Sequence, residues 1–165
     1  AEYSDAFEKV AVGEPLLTTD DDFKAVIKAI TEATAEYDDG ETAICFMGHG
    51  TEAESNQVYS KMQDMLTDAG YKNYYVGTVE ASPTVEDVLA AVQAGGYKKV
   101  VLEPLMIVAG DHANNDMAGE DEDSWLSQFK ASGSFDSVDT QIAGLGEIPA
   151  IQDLYVAHTA AVIGK

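Results

Sequence analysis

Two histidines and one glutamate stand where this chain most readily places chemistry. His49 lies between two glycines in FMGHGT, residues 46–51. His112 lies in GDHANND, residues 110–116, crowded by acids and amides, and Glu80 closes GTVE, residues 77–80. Two imidazoles and a carboxylate form a sensible donor set for a divalent transition metal, with coordination positions left for water or a ligand. The same set suits proton transfer, because an imidazole is partly neutral near physiological pH and a carboxylate beside it can hold its tautomer. Taken singly, each residue has a plainer account: a solvated turn histidine for His49, a helix-start acid for Glu80, and for His112 an Asx-rich turn in which Asp111 and Asn114 serve their own backbone. The glycines around His49 favour the chemical account, since they let backbone or ligand approach closely.

What joins the three is the place each takes behind a strand. Residues 43–47 (AICFM), 74–79 (YYVGTV) and 100–109 (VVLEPLMIVA) are short apolar runs, and the last lacks polar alternation, the pattern of a central strand covered on both faces. His49, Glu80 and His112 are separated by nearly equal stretches, each about one βα unit long. In a parallel sheet the carboxyl ends of the strands share one edge, so this spacing predicts that the three side chains converge there.

The rest of the chain supplies the alternation that such a sheet needs. Residues 8–17 contain an apolar run at 10–12 closed by Gly13 and Pro15, read as a strand ending in a turn. Thr18, Thr19 and three aspartates then start a helix whose buried face is Phe23, Val26, Ile27, Ile30 and Tyr37. A second helix carries Val58, Tyr59, Met62, Met65 and Leu66 on one stripe. A third starts at Ser82-Pro83-Thr84, with a hydroxyl cap and Pro in the first turn, and buries Val85, Val88, Leu89 and Val92. After a polar loop come a short helix with Trp125, Leu126 and Phe129, a strand over residues 138–143, and a last helix shaped by Ile148, Ile151, Leu154, Tyr155 and Val162. His158 follows Leu154 at i+4 and reads as a half-buried helix-face residue. The predicted fold class is α/β, a three-layer αβα sandwich with a mainly parallel sheet.

Composition narrows the partners. The 165 residues carry 30 acids against nine lysines, with no arginine and a formal charge of -21. That balance argues against nucleic acid and against an anionic membrane surface, and it favours cations. Cys45, alone and inside an apolar run, offers neither a disulfide framework nor a zinc knuckle. No stretch is long and apolar enough to span a bilayer, and no basic leader precedes an apolar run, so a cytoplasmic protein is expected. An exported one, from which a leader was removed before Ala1, is the alternative.

The motifs FMGHGT, GTVE and PLMIVAGDHANNDMAGEDEDSW (residues 104–125), in this order and at these separations, resemble the C-terminal half of the anaerobic cobalt chelatases. Those are class II tetrapyrrole chelatases, which insert cobalt into sirohydrochlorin or a precorrin-2-type tetrapyrrole in cobalamin biosynthesis, and the resemblance extends over essentially the whole chain. It implies a chelatase-like lobe of a two-lobed molecule whose halves face each other across a cleft holding the macrocycle. It implies Co2+ as the substrate metal, with Fe2+ or Ni2+ as alternatives, bound by His49 and His112 with Glu80 as their acidic partner. His49 would also be the general base. Residues 1–37 would then be the closing strand and crossover helix of a preceding lobe and residues 38–165 the C-terminal lobe, with the other lobe supplied by a second copy, another chain or a further segment. Two features depart from the family pattern. Glu52, Ala53 and Glu54 stand where relatives commonly carry more histidine, and the lack of arginine leaves little to balance the carboxylates of a macrocycle. Two other readings compete: a non-catalytic module that binds a tetrapyrrole, haem or metal through the same histidines, and a folded lobe that is silent without its partner.

Overall fold

The computed structural model describes residues 6–163. Its centre is a sheet of four strands, β1 (Thr42–Gly48), β2 (Tyr74–Thr78), β3 (Lys99–Pro104) and β4 (Ser137–Thr140), in the order β2-β1-β3-β4 with every pairing parallel. Five helices cover it: α1 (Asp20–Ala33), α2 (Gln57–Asp68), α3 (Val85–Gly95), α4 (Trp125–Ala131) and α5 (Pro149–Ala160). All of β1 is buried, and its side chains divide by strand periodicity. Ile44 and Phe46 pack with Phe23, Val26 and Ile30 of α1, Met62 and Leu66 of α2 and Ile151 of α5. Ala43, Cys45 and Met47 pack on the opposite face with Val88 and Val92 of α3 and Trp125 and Phe129 of α4. This is the three-layer sandwich that the apolar runs predict. Cys45 is a core residue whose thiol is pushed well up by burial.

Local chemistry starts the helices. Thr19 caps α1 reciprocally with Asp22, and Asp20, Asp21 and Asp22 occupy its first turn. Thr84, rather than Ser82, caps α3, in the same reciprocal arrangement with Asp87. Pro83 therefore lies outside the helix, and its carbonyl accepts the Thr78 N–H at 2.7 Å, tying the loop back to the end of β2.

Four elements differ from the sequence reading, the last strand among them, which spans Ser137–Thr140 and stops short of residue 143. Residues 8–17 form no strand: Val10 and Val12 are exposed, and the segment runs beside α5, where Gly13 lies against the His158 carbonyl. The run of three apolar residues lies along α5 and pairs with neither edge strand, β2 or β4, and Gly13 and Pro15 limit its extension. The α1 helix stops at Ala33, so Tyr37 belongs to the following turn. The apolar run of residues 100–109 is strand only to Pro104. Beyond it the chain bends over the sheet edge, where Met106 and Ile107 carbonyls accept the N–H groups of Leu145 (2.8 Å) and Gly146 (2.9 Å). The α1 helix shares its core with β1 and β2, so residues 20–33 belong physically to this sandwich.

His158 is the clamp between the N-terminal segment, α1 and α5. Its Nδ1 meets the Glu14 carbonyl at 3.0 Å and its Nε2 meets Asp22 Oδ1 at 3.0 Å, with the side chain 17% exposed. Those bonds, the Glu14 carbonyl first and Asp22 second, raise its pKa above the ordinary 6.5. A raised folded value means stability that is fully present below 6.5 and lost as pH rises through the folded value. His158→Gln is expected to remove that decline from denaturant midpoints measured on both sides of the imidazole range. A variant that keeps the wild-type decline would show that another group causes it.

Candidate metal centre

The carboxyl edge of the sheet carries the site, and backbone pairing builds it. Parallel pairing of β1 with β2 continues past both strands: Val79 N–H donates to the Gly48 carbonyl at 3.0 Å and Glu80 N–H to the His49 carbonyl at 2.9 Å. His49 and Glu80 are thus neighbours on one ladder. On the other side Leu105 N–H donates to the Met47 carbonyl at 2.7 Å, which ties the exit of β3 to the exit of β1. The chain then passes over the edge and enters a helical turn that carries His112.

All three predicted residues meet there. His49, Glu80 and His112 each present a donor atom, and the three atoms lie within 4.8 Å of one another. His49 Nδ1 stands 3.9 Å from Glu80 Oε2, and the His49 and His112 rings meet edge to face, their centroids 4.5 Å apart. Nitrogen and oxygen donors sit ~2 Å from a first-row ion, so donors sharing one ion span up to ~4 Å. The observed spread is close to that. The side chains of His49 and Glu80 are about half exposed, leaving the site open on the solvent side.

The glycines flanking His49 each answer a specific demand. A Cβ on Gly48 would stand 2.1 Å from the Tyr59 ring, whose hydroxyl accepts the Gly50 N–H at 3.3 Å. Gly50 adopts φ +87°, and a side chain there would press on the Ala81 backbone. Asn56 spans the two loops: its Oδ1 accepts the Thr51 N–H at 3.1 Å and its Nδ2 donates to the Ser82 carbonyl at 2.7 Å. Sequence reasoning placed Tyr59 on the core stripe of α2 and passed over Asn56. Neither has a local signal that reveals its reach into another loop.

The segment after β3 is more ordered than a polar loop. His112 leads into a π-helical turn, Ala113–Met117, in which Ala113 and Met117 are fully buried. Asn114 does serve the backbone, donating to the Gly110 carbonyl at 2.7 Å, but Asn115 donates to Asp111 Oδ1 at 2.7 Å and His112 Nδ1 meets Asp116 Oδ2 at 2.7 Å. Both side-chain pairs are four residues apart, the spacing of neighbours on one helix face.

The class so defined is a parallel, doubly covered α/β sheet that gathers two imidazoles and a carboxylate, a donor set suited to a divalent metal, on its carboxyl rim. Comparison with known proteins gives that class its family. The model of the cobalt chelatase (CbiK) family matches residues 1–164, and the chain belongs to that family. It is 36% identical over 152 residues to the sirohydrochlorin cobaltochelatase of Salmonella typhimurium, and 31% identical over 159 residues to the sirohydrochlorin cobaltochelatase CbiKC of Nitratidesulfovibrio vulgaris. These matches cover 92% and 96% of this chain but 56% and 55% of the relatives, so the chain spans about half the length of either. The crystal structure of a cobalamin (vitamin B12) biosynthesis CbiX protein from Marinobacter aquaeolei VT8 shares the fold, with a TM-score of 0.55 at 18% identity over 73% of this chain and 98% of that one.

Proposed function

We propose that this chain is the metal-handling lobe of a sirohydrochlorin cobaltochelatase, with His49, Glu80 and His112 as the residues that receive the metal. The observation that carries the reading is the gathering of those three donors on one sheet rim, in a chain of the cobalt chelatase family. Insertion exchanges two pyrrole protons for one divalent ion. His112, Glu80 and His49 hold Co2+ at the rim; as the ion passes to the macrocycle, the nitrogen that His49 frees accepts one pyrrole proton, and the second leaves to solvent. Glu80 lies beside the His49 ring and can take that proton onward. Fe2+ and Ni2+ fit the same donors, since first-row ions differ more in supply and geometry than in donor preference.

The lobe division belongs to the same proposal: residues 38–165 form the body of the C-terminal lobe, residues 1–37 lead in from a preceding one and dock α1 onto its core, and a second lobe covers the rim. The half-length match to both relatives supports this. An anaerobic absorbance assay with sirohydrochlorin and Co2+ tests the function, run on the chain alone and with any complementary lobe. The spectrum of the cobalt complex should appear with turnover. A tetrapyrrole spectrum shifted by binding without insertion would replace this reading with that of a binding module. No spectral response in either setting would leave a structural lobe.

A further inference from the structure

We infer that Asp116 is a positioning residue for His112: its carboxylate holds the ring in the Nδ1–H tautomer and presents the bare Nε2 to the metal. The inference rests on His112 being a metal ligand. An ionised carboxylate only accepts hydrogen bonds, so the 2.7 Å contact between His112 Nδ1 and Asp116 Oδ2 requires the proton on Nδ1. In the neutral ring Nε2 is then left with a lone pair, the state in which an imidazole coordinates. A free histidine ring prefers the opposite tautomer, with Nε2 protonated and unable to coordinate, and Asp116 reverses that preference.

The two rim histidines are held differently. His49 Nδ1 faces the Gly50 carbonyl at 2.9 Å, a neutral acceptor on the adjacent residue, whereas the partner of His112 is charged. Charge-assisted bonds are shorter and about twice as strong as neutral ones, and a carboxylate behind an imidazole strengthens it as a metal donor. His112 is therefore the anchored ligand. His49 is the ring left free to exchange its partner, with Glu80 3.9 Å away.

The turn is built to keep Asp116 in place. Gly119 N–H donates to the Asn115 carbonyl at 2.9 Å, and a Cβ on Gly119 would stand 2.3 Å from that oxygen, so only glycine closes the turn this tightly. Met117 seats the turn on the α3 and α4 core, Ala113 is fully buried, and Asn115 bonded to Asp111 braces the turn's outer side.

The test combines nitrogen NMR of the metal-free protein, at a pH above the imidazole range, with Co2+ titration of wild type, Asp116→Ala, Asp116→Glu and His112→Ala. Wild-type His112 should carry its proton on Nδ1. Asp116→Ala should move it to Nε2 and weaken Co2+ binding by about 10–100-fold, the range for loss of a partner behind a ligating histidine. Asp116→Glu keeps a carboxylate in reach and should hold both tautomer and affinity near wild type. An Nε2–H ring in the wild-type protein would overturn the inference whatever the metal does. So would unchanged affinity in Asp116→Ala alongside a loss in His112→Ala, an outcome that leaves the metal site standing. Unchanged affinity in both variants would instead overturn the metal site, and with it the role of Asp116.

Discussion

His49→Ala is expected to slow cobalt insertion by about 10²–10⁴-fold, the range for removing a positioned acid or base, and to weaken Co2+ binding as well, because the residue also supplies a donor. His112→Ala should act mainly on binding. It removes the anchored donor and leaves Asp116 facing an empty position, so excess Co2+ should recover part of its rate but not that of His49→Ala. This contrast follows from the geometry: His49 lies beside both His112 and Glu80, whereas His112 is bonded away from the rim to Asp116. Neither variant should unfold the protein, since the His49 side chain is 47% exposed and the His112 side chain 33%. Anaerobic absorbance kinetics over a range of Co2+ concentrations separates the two effects, with unfolding curves as the control. Wild-type turnover in both variants would remove the site from the mechanism.

Glu103→Gln should give the largest change in stability. Glu103 stands on the face of β3 that looks toward α1 and α5, beside a cavity of about 190 Å³ that it shares with Glu36, Tyr37 and Gln141. Burial, and after it the charge of Glu36, pushes its pKa from 4.5 to about 7. The sign follows from proton counts. Between those two values the folded protein holds a proton that the unfolded chain has released, so stability falls as pH rises from 4.5 to about 7 and then levels off. A shift of that size corresponds to about 3 kcal/mol as an upper limit. Glutamine keeps the shape and never ionises, so the variant should lack this decline and exceed wild type in stability at neutral pH. Urea denaturation across that window measures it. His158 also favours lower pH, but its contribution is lost only above 6.5, so the two variants divide the profile between them. Equal slopes in wild type and Glu103→Gln would mean that Glu103 is solvated in the folded state.

How much of this was legible beforehand depends on the range of the interaction. Covered strands, capped helices and residues that follow a strand are local matters, written in runs of apolar residues and in hydroxyl and acid signals. For that reason the sequence alone determined the parallel sandwich, and it determined that His49, Glu80 and His112 would share a rim. Parallel strands put their carboxyl ends together whatever the details of packing.

Partnership at a distance was not legible. The run at residues 10–12 looks like a strand because short apolar segments do, yet strand formation needs an unpaired edge, and only the assembled sheet shows that none is used. Glu103 sits in an apolar run with nothing to mark it as a carboxylate held near neutrality. That follows from the layer above it and from Glu36, far off in the chain. The contacts of Tyr59 with Gly48 and of Asn56 with Ser82 join separate loops, and the pairing of His112 with Asp116, though only four residues long, needed the helical turn to be recognised first. The sequence decides which residues reach the rim, because backbone pairing and periodicity repeat along the chain. The tertiary structure alone decides how each is held and charged, because burial and hydrogen bonding depend on whatever folds over them.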